Sequence, residues 1–186
     1  MSSSTRSVLR FLGKMLAAYV VWYVLYDLWL LPDGRLDAWV SHSVVDVSGA
    51  VLALLGFAPD AAGRVVALPG TAGVRIVNGC NGLSTIGLFV GFILAYPGDW
   101  TRRAWFIPLG TAVIYAANVG RITLLAGLQR YAPELFSSIH NLGAPAFFYA
   151  VVFGLWMVWT HYGSINSDAA EDAPPAARVS STVASS

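Results

Sequence analysis

The sequence predicts an all-α polytopic membrane protein. Two observations carry that prediction: long apolar runs recur along the chain, and charged residues are scarce. Of the 186 residues, 56% are hydrophobic and only 11% charged, against about 25% charged in an ordinary soluble domain. Mean hydropathy is +0.63, so much of the surface is suited to lipid rather than water. The net charge of +1, with Arg and Lys scattered, offers no footprint for a nucleic-acid partner. The expected architecture is about four transmembrane helices, an outer-side interfacial or re-entrant helix and a short β-hairpin, within a single membrane domain over residues 1–160.

The first span is expected over 11–31. Arg6, Arg10 and Lys14 precede or enter it, and Trp22, Tyr23, Tyr26 and Trp29 fill its second half, where aromatic rings meet an interface. The run outlasts the about 7–15 apolar residues of a signal peptide and has no small-residue cleavage pattern after it, so it reads as uncleaved. Asp27 within it must face protein or water. Pro32-Asp33-Gly34-Arg35 then ends the helix by turn chemistry.

The next apolar segment, 43–58, contains Asp46 and Ser48 and is short for a perpendicular span. It is either a poor span or a helix lying against the membrane or the bundle. Residues 62–77 read as a hairpin, because Arg64-Val65-Val66-Ala67-Leu68 and Val74-Arg75-Ile76-Val77 flank the turn-forming Pro69-Gly70-Thr71-Ala72-Gly73. Further spans are expected over 80–96, 104–125 and 142–160, with a basic turn at Arg102-Arg103 and a polar connection over 129–141. Residues 164–186 have the composition of a disordered cytoplasmic tail.

Charge sets the sidedness. Arg6, Arg10 and Lys14 place the N-terminus inside, and Arg102 and Arg103 place the 97–103 turn inside. Span 80–96 then runs inward, and parity requires either that 43–58 remain on the outer side without crossing, the preferred reading because three basic residues mark the N-terminus and Asp46 weakens a crossing, or that the N-terminus lie on the other side. On this topology Cys80 starts outside. At 1.5 Å per residue a core of about 30 Å takes roughly 20 residues, so the climb from residue 104 brings Arg121 back to the outer level. His140 opens the last descending span at the same height.

Common depth makes a chemistry available. Cys80, the only cysteine, cannot form an intramolecular disulfide. Near a helix N-terminus and a cation or imidazole it is a candidate thiolate nucleophile, for which His140 would carry the proton and Arg121 would donate to an oxyanion or a carboxylate. Helix dipoles at residues 80 and 140 would assist. Asn118 shares a helix face with Arg121, and Asn78, Asn81, Ser84 and Asn141 are supporting or substrate-binding candidates. Against this stand bland roles: packing for the thiol, snorkelling for Arg121, interface lining for His140. One Cys and three dispersed His residues form no compact ligand set, and no glycine-rich phosphate loop occurs, so neither metal nor cofactor is expected.

In Asn78-Gly79-Cys80-Asn81-Gly82-Leu83, in Asn118-x-x-Arg121-Ile122 and in His140, the chain resembles the exosortase/archaeosortase family, over roughly residues 43–160 and most strongly over 78–145. The resemblance implies a membrane cysteine transpeptidase of the inner or cytoplasmic membrane with its active site on the outer side. Its implied partners are membrane lipid, a secreted protein bearing a C-terminal motif, a hydrophobic helix and a basic tail, and an unidentified acceptor. It implies Cys80 as nucleophile, Arg121 as oxyanion residue and His140 as proton shuttle. Many members carry Ser after the cysteine where this chain has Asn81, and the larger ones have more spans, so this would be a compact branch. The alternatives are a nonenzymatic assembly or transporter subunit and a Cys-dependent membrane acyltransferase.

Overall fold

The computed structural model describes residues 3–163; the predicted tail at 164–186 lies outside them. Helix α1 (Ser3–Trp22) passes without a break into a π-helical stretch, Tyr23–Leu30, and a final turn, α2 (Leu31–Asp33). Gly34, at φ +70°, makes the corner that Pro32-Asp33-Gly34 predicts. Helix α3 (Arg35–Leu54) starts well before the expected 43–58 segment. Its buried residues Asp37, Val40, Ser41, Val44, Val45, Ser48 and Leu52 repeat every three or four positions, the spacing of one helix face. His42, Asp46 and Val47 occupy the exposed side.

The expected hairpin is a three-stranded antiparallel sheet, β1 (Asp60–Ala62), β2 (Val65–Ala67) and β3 (Val74–Arg75). Its register pairs Ala62 with Val65 and Val66 with Val74. The additional strand, β1, lies against α3, where Gly49 leaves room for Ala61.

Helix α4 (Leu83–Ala95) begins three residues after Cys80, so the expected 80–96 span is shorter than its apolar run suggests. Gly79 and Gly82 adopt φ of +83° and +91°, which keeps this polar segment out of the helix. Helix α5 (Trp100–Tyr131) is capped by the Asp99 side chain, which accepts from the Arg102 amide. The expected polar connection over 129–141 is largely helical. Pro133, suited to a first helical turn, starts α6 (Pro133–Ser138), and a π-helical stretch Ile139–Gly143 joins it to α7 (Ala144–Tyr162).

Among the described residues, three helices are long and apolar enough to cross a membrane: Thr5–Asp33, Trp100–Tyr131 and Pro133–Tyr162. At 13 residues, α4 covers only about 20 Å, less than the about 30 Å hydrocarbon core. It lies among α1, α5 and α7. Close approach is possible because Gly87 faces the Trp22 indole and Gly110 faces the Phe89 ring, where a Cβ would stand only 2.4 Å and 2.2 Å away respectively.

Two apolar cores result among the described residues. One joins the inner face of the sheet (Val66, Val74, Ile76) to α3 and the second half of α5, and Cys80 and Leu83 pack against it. The other lies toward the opposite end of the bundle, around Phe89, Ile93, Ile114, Phe148 and Trp159. At that end Arg103 donates to the Tyr96 carbonyl at 2.9 Å and Arg102 to the Tyr162 carbonyl.

Candidate active site

The segment between β3 and α4 is a loop suspended by its side chains. The Cys80 amide donates to the Val77 carbonyl at 2.9 Å, closing a turn. On one flank, Asn78 accepts from the Arg64 guanidinium at 2.6 Å, and the same Arg64 nitrogen donates to Ser41 on α3 at 2.7 Å. On the other flank, Asn81 is 1% exposed. Its amide nitrogen donates to Asp37 at 2.7 Å and its oxygen accepts from the Leu83 amide at 3.1 Å. Asp37 is 0% exposed and also accepts from the Tyr26 hydroxyl at 3.0 Å.

The half-buried thiol opens into a cavity of about 330 Å³. Arg121 from α5 and His140 and Asn141 from the π-helical stretch line the same cavity, together with Gly79, Gly82, Thr85, Pro145, Phe148 and Tyr149. The residues expected to share a depth therefore share one space. No hydrogen bond joins Cys80, Arg121 and His140 to one another among the described residues.

Each group has a distinct environment. The Arg121 guanidinium lies 5.5 Å from the centroid of the buried Phe148 ring, a cation–π contact. Its Nε is buried without a hydrogen-bond partner, and among the described residues no carboxylate pairs with it. An unneutralised cation beside a thiol is disposed to receive an anionic or developing-oxyanion group. His140 is exposed and stacks on Phe136 one turn earlier, at 5.6 Å between centroids and 5° between planes. Its helix begins at Pro133, so the expected dipole at residue 140 does not arise. Cys80, in contrast, remains close to the start of α4.

The supporting candidates separate. Asn141 lines the cavity. Asn118 is 0% exposed with neither amide atom hydrogen-bonded, and it packs beneath the loop, 3.6 Å from where a Cβ on Gly82 would stand. Asn78 and Asn81 fix the loop rather than face the cavity. Ser84 turns away, onto a groove between α1 and α4 that also contains Asp27, Trp22 and Tyr23. His42 lies exposed on α3, and His161 packs edge-on against Tyr162 at the other end.

Sequence inspection passed over Thr85 and Tyr149 in the cavity wall and Asp37, Tyr26 and Arg64 behind the loop. Thr85 carried a readable signal, since it falls in the first turn of the helix that follows Cys80. Asp37 carried none, because its partner is a distant loop.

No curated protein and no solved structure shows a significant match to the chain. A family model does: that of the transmembrane exosortases (Exosortase_EpsH), matching residues 2–165. With most of its length so matched, and with the cysteine, arginine and histidine on one cavity of a helical membrane scaffold, the chain belongs to the transmembrane exosortase family.

Proposed function

We propose that the protein is a membrane-embedded cysteine transpeptidase that cleaves the C-terminal sorting signal of secreted proteins and passes the product to an acceptor. Membership of the exosortase family carries an enzymatic sorting function in a membrane setting. The observation that supports the finer chemistry is the single cavity shared by Cys80, Arg121 and His140.

In this mechanism His140 takes the Cys80 proton and the thiolate attacks the scissile carbonyl carbon. The tetrahedral oxyanion is held by Arg121, whose charge no carboxylate neutralises among the described residues. The C–N bond then breaks, His140 returns the proton to the departing amine, and a thioester remains on Cys80. An acceptor amine or water attacks the thioester, His140 removes its proton, and the thiol is restored. The substrate would carry a short motif, a hydrophobic helix and a basic tail. The cavity would open on the outer side of the inner or cytoplasmic membrane, which agrees with Arg6, Arg10 and Lys14, and with Arg102 and Arg103, marking the inner side. Asn141 and Tyr149 would contact the bound peptide.

The test is co-expression with a secreted protein, encoded beside this one, that ends in such a signal, with intact-mass measurement of the product. Shortening is expected with the wild type and not with C80A or H140A. A C80A variant that shortens the substrate at the normal rate would sink the cysteine mechanism. Mass spectrometry of a trapped Cys80 adduct separates the chemistries: a peptide adduct supports transpeptidation, and a fatty-acyl adduct identifies an acyltransferase instead.

A further inference from the structure

Both flanks of Cys80 are tied to one helix. Asp37 and Ser41 are four apart on the buried face of α3 and so lie one above the other. Asp37 takes the Asn81 amide at 2.7 Å, and Ser41 takes the Arg64 guanidinium, which at the same time holds Asn78. Helix α3 thus acts as a rail along which the nucleophile loop is fixed at residues 78 and 81. Resting on the cysteine mechanism above, the geometry points to Asp37 as a positioning residue that acts through Asn81 to hold Cys80 at the cavity.

The surroundings of Asp37 favour this over a purely architectural role. A carboxyl that is 0% exposed carries a large desolvation cost, and well-packed apolar residues generally hold helices together at least as firmly. Apolar packing, however, cannot set the rotation of one peptide unit. Asn81 is engaged at both ends of its amide, by Asp37 and by the Leu83 amide at the start of α4. That arrangement fixes the backbone beside Cys80 in rotation as well as position. Asp37 is itself oriented by Tyr26, which stacks on Trp22 at 4.9 Å. Tyr26 sits in one π-helical stretch and His140 in the other. Such departures from α-helical winding recur at functional sites because they re-aim side chains.

The partners are interchangeable in principle, and that supplies the test. N81D sets two carboxylates against each other. In N81D/D37N the amide nitrogen at position 37 stands where Asp37 Oδ1 accepts from both Asn81 and Tyr26, so it donates to the carboxylate at position 81 and the contact returns with its direction reversed; the Leu83 amide keeps its acceptor, and the Tyr26 hydroxyl turns to accept the second amide hydrogen. Processing kinetics are read on a reporter carrying the signal cleaved in the Cys80-dependent assay. The lone cysteine is followed separately by its rate of maleimide labelling.

N81D is expected to lower kcat by roughly 10²-fold at unchanged KM, the effect of misplacing a reacting group by about 1 Å, and to alter the labelling rate. N81D/D37N is expected to recover both, with kcat within about tenfold of wild type, a rescue that loss of fold alone would not give. An N81D variant with wild-type kcat and labelling overturns the inference. So does a double variant still depressed about 10²-fold, or one that fails to accumulate, since the pair is then not interchangeable. C80A separates the two levels. Processing that survives C80A overturns the cysteine mechanism itself, whereas inactive C80A beside fully active N81D overturns only the role of Asp37.

Discussion

Replacing Gly82 with alanine isolates the backbone conformation that carries Cys80, the proposed nucleophile. Gly82 sits at φ +91° and ψ −8°, in a left-handed region that costs an L-residue about 1–2 kcal/mol. A Cβ there would stand 3.6 Å from Asn118 Nδ2, ordinary van der Waals contact, so no steric clash adds to the strain. Gly120, in the open on α5 with nothing within 4 Å of its Cβ position, is the control, where alanine should stabilise by about 0.5–1 kcal/mol. For a chain of this size 1 kcal/mol corresponds to about 2–4 °C in Tm. G82A should therefore melt about 2–8 °C below wild type, and G120A slightly above it. Intrinsic tryptophan fluorescence from the 7 Trp residues follows the transition in detergent. The alanine also relieves its strain by rotating the adjoining peptides, which carries Cys80 away from Arg121 and His140, so processing should fall more than stability does. G82A with unchanged Tm and unchanged processing would refute the claim that this left-handed turn holds the site.

Three further expectations can be checked in the same assays. R121K retains the charge but loses the planar fork and its stacking on Phe148, so kcat should drop by about 10²–10³-fold; wild-type turnover would remove any geometric role for Arg121. G110A places a Cβ 2.2 Å from the fully buried Phe89 ring and should destabilise by about 1–3 kcal/mol, and an unaltered melting curve would contradict the close α4–α5 approach. S84A changes a side chain on the groove shared with Asp27, not on the Cys80 cavity, and removes a hydrogen bond with Tyr26. Because Tyr26 keeps its bond to Asp37, processing should stay within a few-fold of wild type, and a large loss would mean that the groove or the Ser84–Tyr26 contact bears on the site.

Much of the architecture was legible because its causes are local. The corner at Gly34 follows from Pro32-Asp33-Gly34, and the β2–β3 turn follows from the residues over 69–73. Polarity predicts a loop over 129–141, yet apart from Ala132 the segment is helical. Polar residues stop a helix only when they compete for its backbone, and Gln129, Glu134 and His140 do not; Gln129 instead donates to the Gly73 carbonyl at 3.2 Å. The start of α4 was misplaced by three residues because the apolar run is continuous with Cys80, while glycine conformation and the Asn81 hydrogen bonds set the true boundary. Ser84, in the first turn of α4, lines a different groove from Cys80.

The sequence by itself determined the membrane character and singled out Cys80, Arg121 and His140 as candidate groups expected at one height, since hydropathy and a fixed rise per residue measure distance along a helix axis. It could not determine azimuth. Which sides of the helices face one another depends on packing between distant segments: Gly87 against Trp22, Gly110 against Phe89, and α3 against α5, where Ser43 and Tyr115 meet at 2.6 Å. Only that packing brought Cys80, Arg121 and His140 to one cavity, and only there did Asp37 acquire Asn81 as its partner.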